Sequence, residues 1–559
     1  MNKGSLVLYS IIALILITIY GPFVLQGGFG PGDDLALVYN SDAGFASLLS
    51  SFLTRESSAS RPLTAIIYSI IFPIFRDSPR PYIILQLSTW FASVVLLSRI
   101  VKLMSGKLSA VFFIVLGAMP IFSSAVIFSP VMIGNTFSIF FWALSLIYLQ
   151  KYYFGRERLN FWLSHLFLLA GLLSTEIIMP LLLFNALLPL ILEKNCKPQE
   201  LLNRTLVGLK YVLPVIVLMV LFFIFKVFIT DIYTSPFGNH SIYGLSISTK
   251  SILQSIYYFF TLIFEIPSML IETIPFLVSQ RIALVFVLIA VFFIYISIFK
   301  SDNWIGLYSS EEKGRASDFF KLVIVGILCC SIIFFLSGYP AVTFGHYNKM
   351  MMPTHFLGTI LICSFFSKML KRKWIIPIII FFSLWSSSMI IQLDNFIDSW
   401  KIRKIVLEDC SRKINLNNLG KDPYLIASVP FFTQNNYNNE HVFWLSWDFS
   451  SGLKIFGTEK YISSFPLCWQ TLTNKDYYPL HNINTFLSEL PQDPNIWFYE
   501  YNMKNQQSEF QNLENLDDLN RRLADFKSNK SNYHKIIMRQ KVRMRLKSLA
   551  FDLNIFSLY

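Results

Sequence analysis

Long apolar runs separated by short polar connections, many of them basic, fill the first 391 positions of the chain. A bilayer core of about 30 Å needs roughly 20 mostly apolar residues in helix. Runs of that kind lie at 5–26, 81–98, 108–128, 131–150, 159–175, 177–193, 211–230, 282–299, 322–338, 349–367 and 374–391, so about eleven transmembrane helices are expected. Two further apolar stretches fit less well. Residues 63–75 are short and close with Pro73, whereas 251–275 carry Glu265, Pro267, Glu272 and Pro275.

Basic residues decide how these two stretches are read, because cytoplasmic connections collect Lys and Arg. With both stretches lying flat at the outer interface, the cytoplasmic segments hold nineteen Lys and Arg, from Lys3 through Arg99 and Lys151 to Lys373. The outer loops then hold seven: Arg55, Arg61, Arg76, Arg80, Lys250, Arg281 and Lys349. If both crossed, the basic loops between 99 and 210 would face outward. An N-terminus in the cytoplasm and eleven crossings therefore place the C-terminal region outside. The run 6–20 follows a single early charge, Lys3, and has no convincing cleavage site, so it reads as a retained first span.

From about Gln392 the pattern changes, giving a small C-terminal α/β domain over 392–559 and a membrane domain over 1–391. Residues 421–429 and 440–449 read as strands and 507–526 as a charged helix. At 541–547, Val542, Met544 and Leu546 alternate with basic residues in strand fashion, which suits a basic edge strand or contact with anionic headgroups or a polyanionic glycan.

The chain is 54% hydrophobic and 14% charged, with a mean hydropathy of +0.51; soluble domains carry about 25% charged residues. A net charge of +13 would suggest nucleic acid in a soluble protein, but here most of the basic residues sit between membrane runs. Of six Cys, only Cys410 and Cys468 lie in the C-terminal domain; a disulfide and two separate thiols both fit an extracytoplasmic domain. No zinc spacing, phosphate loop, HExxH or GxSxG is present, which leaves ATP-driven transport, proteolysis and esterase chemistry without a motif.

Candidate chemistry collects in the first external loop, 27–80. It opens with GGFGPGDDLALVYN, whose glycines and proline hold Asp33 and Asp34 near the membrane face. Adjacent acids there are costly unless solvated, hydrogen-bonded or bound to metal. Arg55, Glu56 and then Arg61-Pro62-Leu63 follow. Glu176 lies in a tight external turn, where it would line a cavity or cap a helix. The late external loop 338–353 offers His346 and Lys349, as phosphate contacts or as a solvated His and a snorkelling Lys. Trp444, Trp447, Trp469 and Trp497 would serve a core or stack on sugars.

The acidic pair in the first loop, Arg61-Pro62-Leu63, the flat stretch 63–75 and a multi-span body with a soluble C-terminal domain resemble the GT-C class of membrane glycosyltransferases. Within it the chain is most similar to bacterial glucosyltransferases that modify O-antigen lipopolysaccharide and convert serotype. The resemblance implies transfer of a sugar, typically glucose, from a polyprenyl-phosphate (undecaprenyl phosphate) donor to a glycan acceptor at the outer, periplasmic face of the bacterial inner membrane. It implies inversion at the anomeric carbon, with Asp33 or Asp34 as general base. Arg61, Arg55, Lys349 and His346 are the candidates near the donor phosphate, with Glu56 beside Arg55 and Glu176 toward sugar hydroxyls. Some relatives use a divalent metal such as magnesium or manganese, which the paired acids could help hold; no further ligand set is visible, and no nucleic-acid partner is implied. An O-antigen polymerase would want a large Arg-rich central external loop, and 231–250 has only Lys250. A transporter or flippase for lipid-linked glycans would want charge or broken helices at the bilayer midplane.

Overall fold

The computed structural model describes residues 3–30, 34–39, 41–53, 61–193, 201–232, 249–298, 310–337, 346–370, 372–417, 419–429, 446–458, 461–467, 491, 494–502, 505–513 and 516–528. In chain order the helices are α1 (Lys3–Gln26), α2 (Asp34–Val38), α3 (Phe45–Leu53), α4 (Pro62–Phe75), α5 (Pro79–Ser105), α6 (Lys107–Gly117), α7 (Ala125–Phe128), α8 (Ile133–Gly155), α9 (Arg158–Ser174) and α10 (Leu182–Glu193). They continue as α11 (Leu201–Ile232), α12 (Thr249–Phe260), α13 (Ile266–Ile271), α14 (Gln280–Ile298), α15 (Ser310–Cys329), α16 (Ser331–Ser337), α17 (Met352–Met369) and α18 (Ile375–Leu416). Strands β1 (Tyr424–Ser428), β2 (Ser463–Leu467), β3 (Ile496–Asn502) and β4 (Gln507–Leu513) are accompanied by α19 (Ser446–Ile455) and α20 (Leu516–Ser528).

Eight helical stretches among the described residues are long and apolar enough to cross a membrane, and by that measure the chain is a multi-pass membrane protein. In hydrocarbon only a helix satisfies its own backbone groups, which is why the apolar runs become helices whatever their local propensity. Pro62 and Pro79 open α4 and α5, where the missing N–H costs nothing and the fixed φ suits the first turn.

Four expectations change. The run 108–128 is not one helix: α6 ends at Gly117, and 118–132 is irregular apart from short α7 and one 3-10 turn. The stretch Ile252–Phe276 is long and apolar enough to count as a span, with a π turn at Thr261–Glu265 joining α12 to α13. Two points along it nevertheless touch neighbouring parts of the bundle. Tyr258 pairs with Thr354 at the start of α17 (2.9 Å), and Met269 lies 3.7 Å from Gln392. Third, the composition change near Gln392 falls inside α18, an unbroken helix of 42 residues. Finally, Ser446–Phe449 is helical rather than extended, and 507–526 divides into β4 and the first part of α20.

The sheet has the order β2-β1-β3-β4, with β1 parallel to both neighbours and β4 antiparallel to β3. One face packs Ile426, Phe465 and Phe498 against Leu519 and Leu523 of α20. The other shares a core with Val406, Leu407 and Cys410 of α18 and with Leu35, Val38, Leu48 and Phe52 of the first loop. The first loop is thus packed between the membrane bundle and the C-terminal domain. Cys410 is a free, buried thiol; Cys468, residues 440–445 and 541–547, and the side chains of Trp444, Trp447 and Trp469 lie outside the described residues. Trp497 stacks on Phe510 at the sheet surface, centroids 5.0 Å apart.

Candidate active site

Asp34 opens α2 and is 1% exposed. Its Oδ1 accepts from Ser129 Oγ (2.6 Å) and from the Val131 N–H (3.0 Å), and its Oδ2 accepts from the Gly30 N–H (2.5 Å). Burial pushes its carboxyl up to about 7, against the opposing pull of Ser129, Val131, Gly30 and the charge of Arg403. The glycines ahead of it are required by close approach. A Cβ on Gly30 would lie 2.9 Å from the Asp34 carboxylate, and one on Gly28 would overlap the Trp400 ring.

The donors Ser129 and Val131 come from the irregular segment 118–132, which lies inside the bundle. Non-helical backbone at membrane depth requires partners from the protein, and four helices and the 3-10 turn His346–Met351 supply them. Trp90 donates to the Gly117 carbonyl (3.1 Å), Tyr20 to Ala118 (2.6 Å), Trp385 to Met119 (3.0 Å) and Gln392 to Ile121 (2.7 Å). Gln86 donates to the carbonyl of Ser129 (2.6 Å), and Tyr68 of α4 donates to that of Val131. Asn348 accepts from the Ala125 N–H (2.9 Å) and donates to Ser124 Oγ (3.0 Å). These side chains hold the two donors against Asp34.

A second clamp joins this loop to the C-terminal domain. Arg403, fully buried on α18, donates to the carbonyls of Phe29 (2.9 Å) and Gly30 and forms an ion pair with Asp448 of α19. Asp448 also accepts from the Leu35 N–H at 2.9 Å. Arg403 thus fixes the backbone on one side of Asp34, and Asp448 holds the residue after it.

Arg61 and Glu176 come together in a two-point pair: Nε donates to Oε2 at 3.0 Å and Nη2 to Oε1 at 2.5 Å, with side chains 22% and 29% exposed. The pair flanks the Asp34 pocket, since Thr64, one turn beyond Arg61, donates to the Ser174 carbonyl (2.7 Å) while Tyr68 reaches Val131. The backbone of His346 lies with half-buried Lys349 on the 3-10 turn His346–Met351, whose Asn348 anchors the irregular segment. Asp33, Arg55, Glu56 and the side chain of His346 fall outside the described residues.

A divalent cation does not fit at Asp34. Both carboxylate oxygens face N–H and O–H donors, and among the described residues no three His, Cys, Asp or Glu side chains converge. Arg403, Asp448, Ser129 and Gln86 were not singled out by sequence. The only signals were an Arg in an apolar-to-polar transition and amides in apolar runs, which are costly in a membrane without a partner. No family model, curated protein or solved structure matches the chain.

Proposed function

We propose that the protein is a membrane glycosyltransferase of the GT-C kind that moves a sugar, glucose by resemblance, from a polyprenyl-phosphate donor to a glycan acceptor such as O-antigen. The reading rests on one observation above the rest: the first loop after α1 ends in a carboxylate fixed by three donors and clamped between the bundle and the C-terminal domain. An enzyme working at a membrane surface needs such a fixed loop, because catalytic groups must be held in a productive geometry.

Asp34 is the anchor of this loop and Asp33 its general base. A base must come within hydrogen-bond reach of the proton it removes, whereas the Asp34 oxygens are enclosed and already taken. Asp33 takes the proton of the acceptor hydroxyl as that oxygen bonds to the anomeric carbon. The bond from that carbon to the phosphate oxygen breaks, its electron pair leaves with polyprenyl phosphate, and the configuration inverts. Guanidinium pairs phosphate oxygens in two-point fashion, so Arg61 meets the donor phosphate in competition with Glu176, which is left for sugar hydroxyls. Lys349 supplies a second cation.

The eleven-span arrangement belongs to the same proposal. Helices α6, α9, α10 and α11 join the long spans, and Ile252–Phe276 lies along the Asp34 end, which faces the periplasm. The test is sugar transfer in cells expressing Asp33→Asn or Asp34→Asn at equal membrane levels. Asp33→Asn should abolish transfer while leaving the melting temperature of the purified protein unchanged. Asp34→Asn should lower both. Full transfer by Asp33→Asn would remove this base, and full transfer by both would remove the transferase reading.

A further inference from the structure

At the end of the bundle far from Asp34, a cavity of about 490 Å³ opens between α5, α8 and the start of α9, lined by Arg99, Gln150, Lys151, Phe154, Glu157 and Asn160 among others. Tyr82 of α5 packs on Phe29 beside the Asp34 loop, and Arg99 lies seventeen residues further along that helix, roughly 25 Å away at 1.5 Å per residue. The volume is in the range of small-molecule sites, roughly 300–1,000 Å³. Its polar groups carry opposite signs. Arg99 and Lys151 have no ion-pair partner among the described residues. Lys151 Nζ lies 4.7 Å from the Tyr148 ring centroid, a contact that leaves its charge unneutralised. Glu157 accepts from the Asn160 side chain at 2.8 Å, which fixes the carboxylate and leaves it lone pairs to spare. Phe154 and Ile147 add an apolar wall.

We infer that this cavity binds the headgroup of an aminophospholipid, with the phosphodiester against Arg99 and Lys151 and the primary ammonium against Glu157. Two cations and one carboxylate at a helix end match a headgroup bearing both charges. A purely anionic headgroup would leave Glu157 opposed, and a quaternary ammonium has no N–H to donate to it. The site is independent of the transferase reading and lies in the other leaflet.

Native mass spectrometry of the full-length protein in detergent, titrated with phosphatidylethanolamine, phosphatidylglycerol or phosphatidylcholine, tests it. One phosphatidylethanolamine adduct should form about tenfold more tightly than either other lipid, the effect of one charge-assisted contact. Arg99→Gln with Lys151→Gln should remove that adduct. Glu157→Gln should bring phosphatidylethanolamine and phosphatidylglycerol to equal affinity. All three side chains are exposed, so an unchanged melting temperature should accompany each variant. Equal adducts in wild type and the double glutamine variant would overturn the site. So would loss of the lipid adduct to millimolar inorganic phosphate that itself stays bound, which would make it a free-phosphate site.

Discussion

Asp34 and Glu176 are two carboxylates at the same end of the bundle, and their surroundings differ in kind. Asp34 is enclosed by a hydroxyl and two backbone N–H groups, with no cation in ion-pair contact among the described residues. Glu176 meets a guanidinium in a pair that solvent still reaches. The first arrangement fixes backbone, because its donors come from two separate chain segments, Gly30 after α1 and Ser129 with Val131 in the irregular segment. The second can exchange partners, because an ion pair that solvent reaches contributes little to stability, about 0–1 kcal/mol. A site that both holds its loop and admits a charged substrate needs one of each.

The sharpest way to break this contrast is at Arg403. Arg403→Met breaks the buried ion pair from one side, which should cost about 3–5 kcal/mol and lower the thermal midpoint in detergent. Arg403→Met combined with Asp448→Leu should recover much of that loss; no recovery would mean that the contacts to the Phe29 and Gly30 carbonyls dominate. Next comes pH. The Asp34 carboxyl rises from 3.8 to about 7 on folding, so between those values the folded state binds more protons than the unfolded one, and stability falls as pH rises. The loss should be at most about 4 kcal/mol, at 1.36 kcal/mol per unit, complete above pH 7 and absent in Asp34→Asn. A melting temperature with the same pH slope in wild type and Asp34→Asn would contradict it. Glu176→Gln should change stability by less than about 1 kcal/mol while changing transfer, since it releases Arg61; loss of stability without loss of transfer would make the pair structural. The smallest effect is expected at Cys410. Reducing agent should leave the melting temperature unchanged, and the thiol should react with maleimide only after unfolding.

Much of this arrangement was legible before the structure. The acids after the first helix, Arg61 at the start of a short apolar helix and Glu176 in a turn were all visible as charges beside apolar runs, since membranes punish unpartnered charge. That Arg61 and Glu176 meet was not visible, because 115 residues separate them. The break at Gly117 was hidden for a related reason. Residues 118–128 are mostly apolar, and the carbonyls of Ala118, Met119 and Ile121 accept from Tyr20, Trp385 and Gln392, none of which is near in sequence. Hydropathy records what lipid tolerates, and here the surroundings are protein. The helix at 446–449, where a strand was expected, has another cause: alternating aromatics suit a strand, but Asp448 sits on a helix turned toward Arg403.

The irregular segment also sets a schedule for assembly. The carbonyl of Ile121 waits for Gln392, 271 residues later in the chain. At roughly 5–20 residues per second of synthesis, that interval lasts on the order of ten seconds to a minute. During it the segment has left the ribosome without its last native partners, so it must sit in water, against the insertion machinery, or at the membrane surface. A ribosome-bound chain stopped before Trp385 should therefore leave residues 118–124 open to a water-soluble thiol probe at an introduced cysteine, and one released after Gln392 should close it.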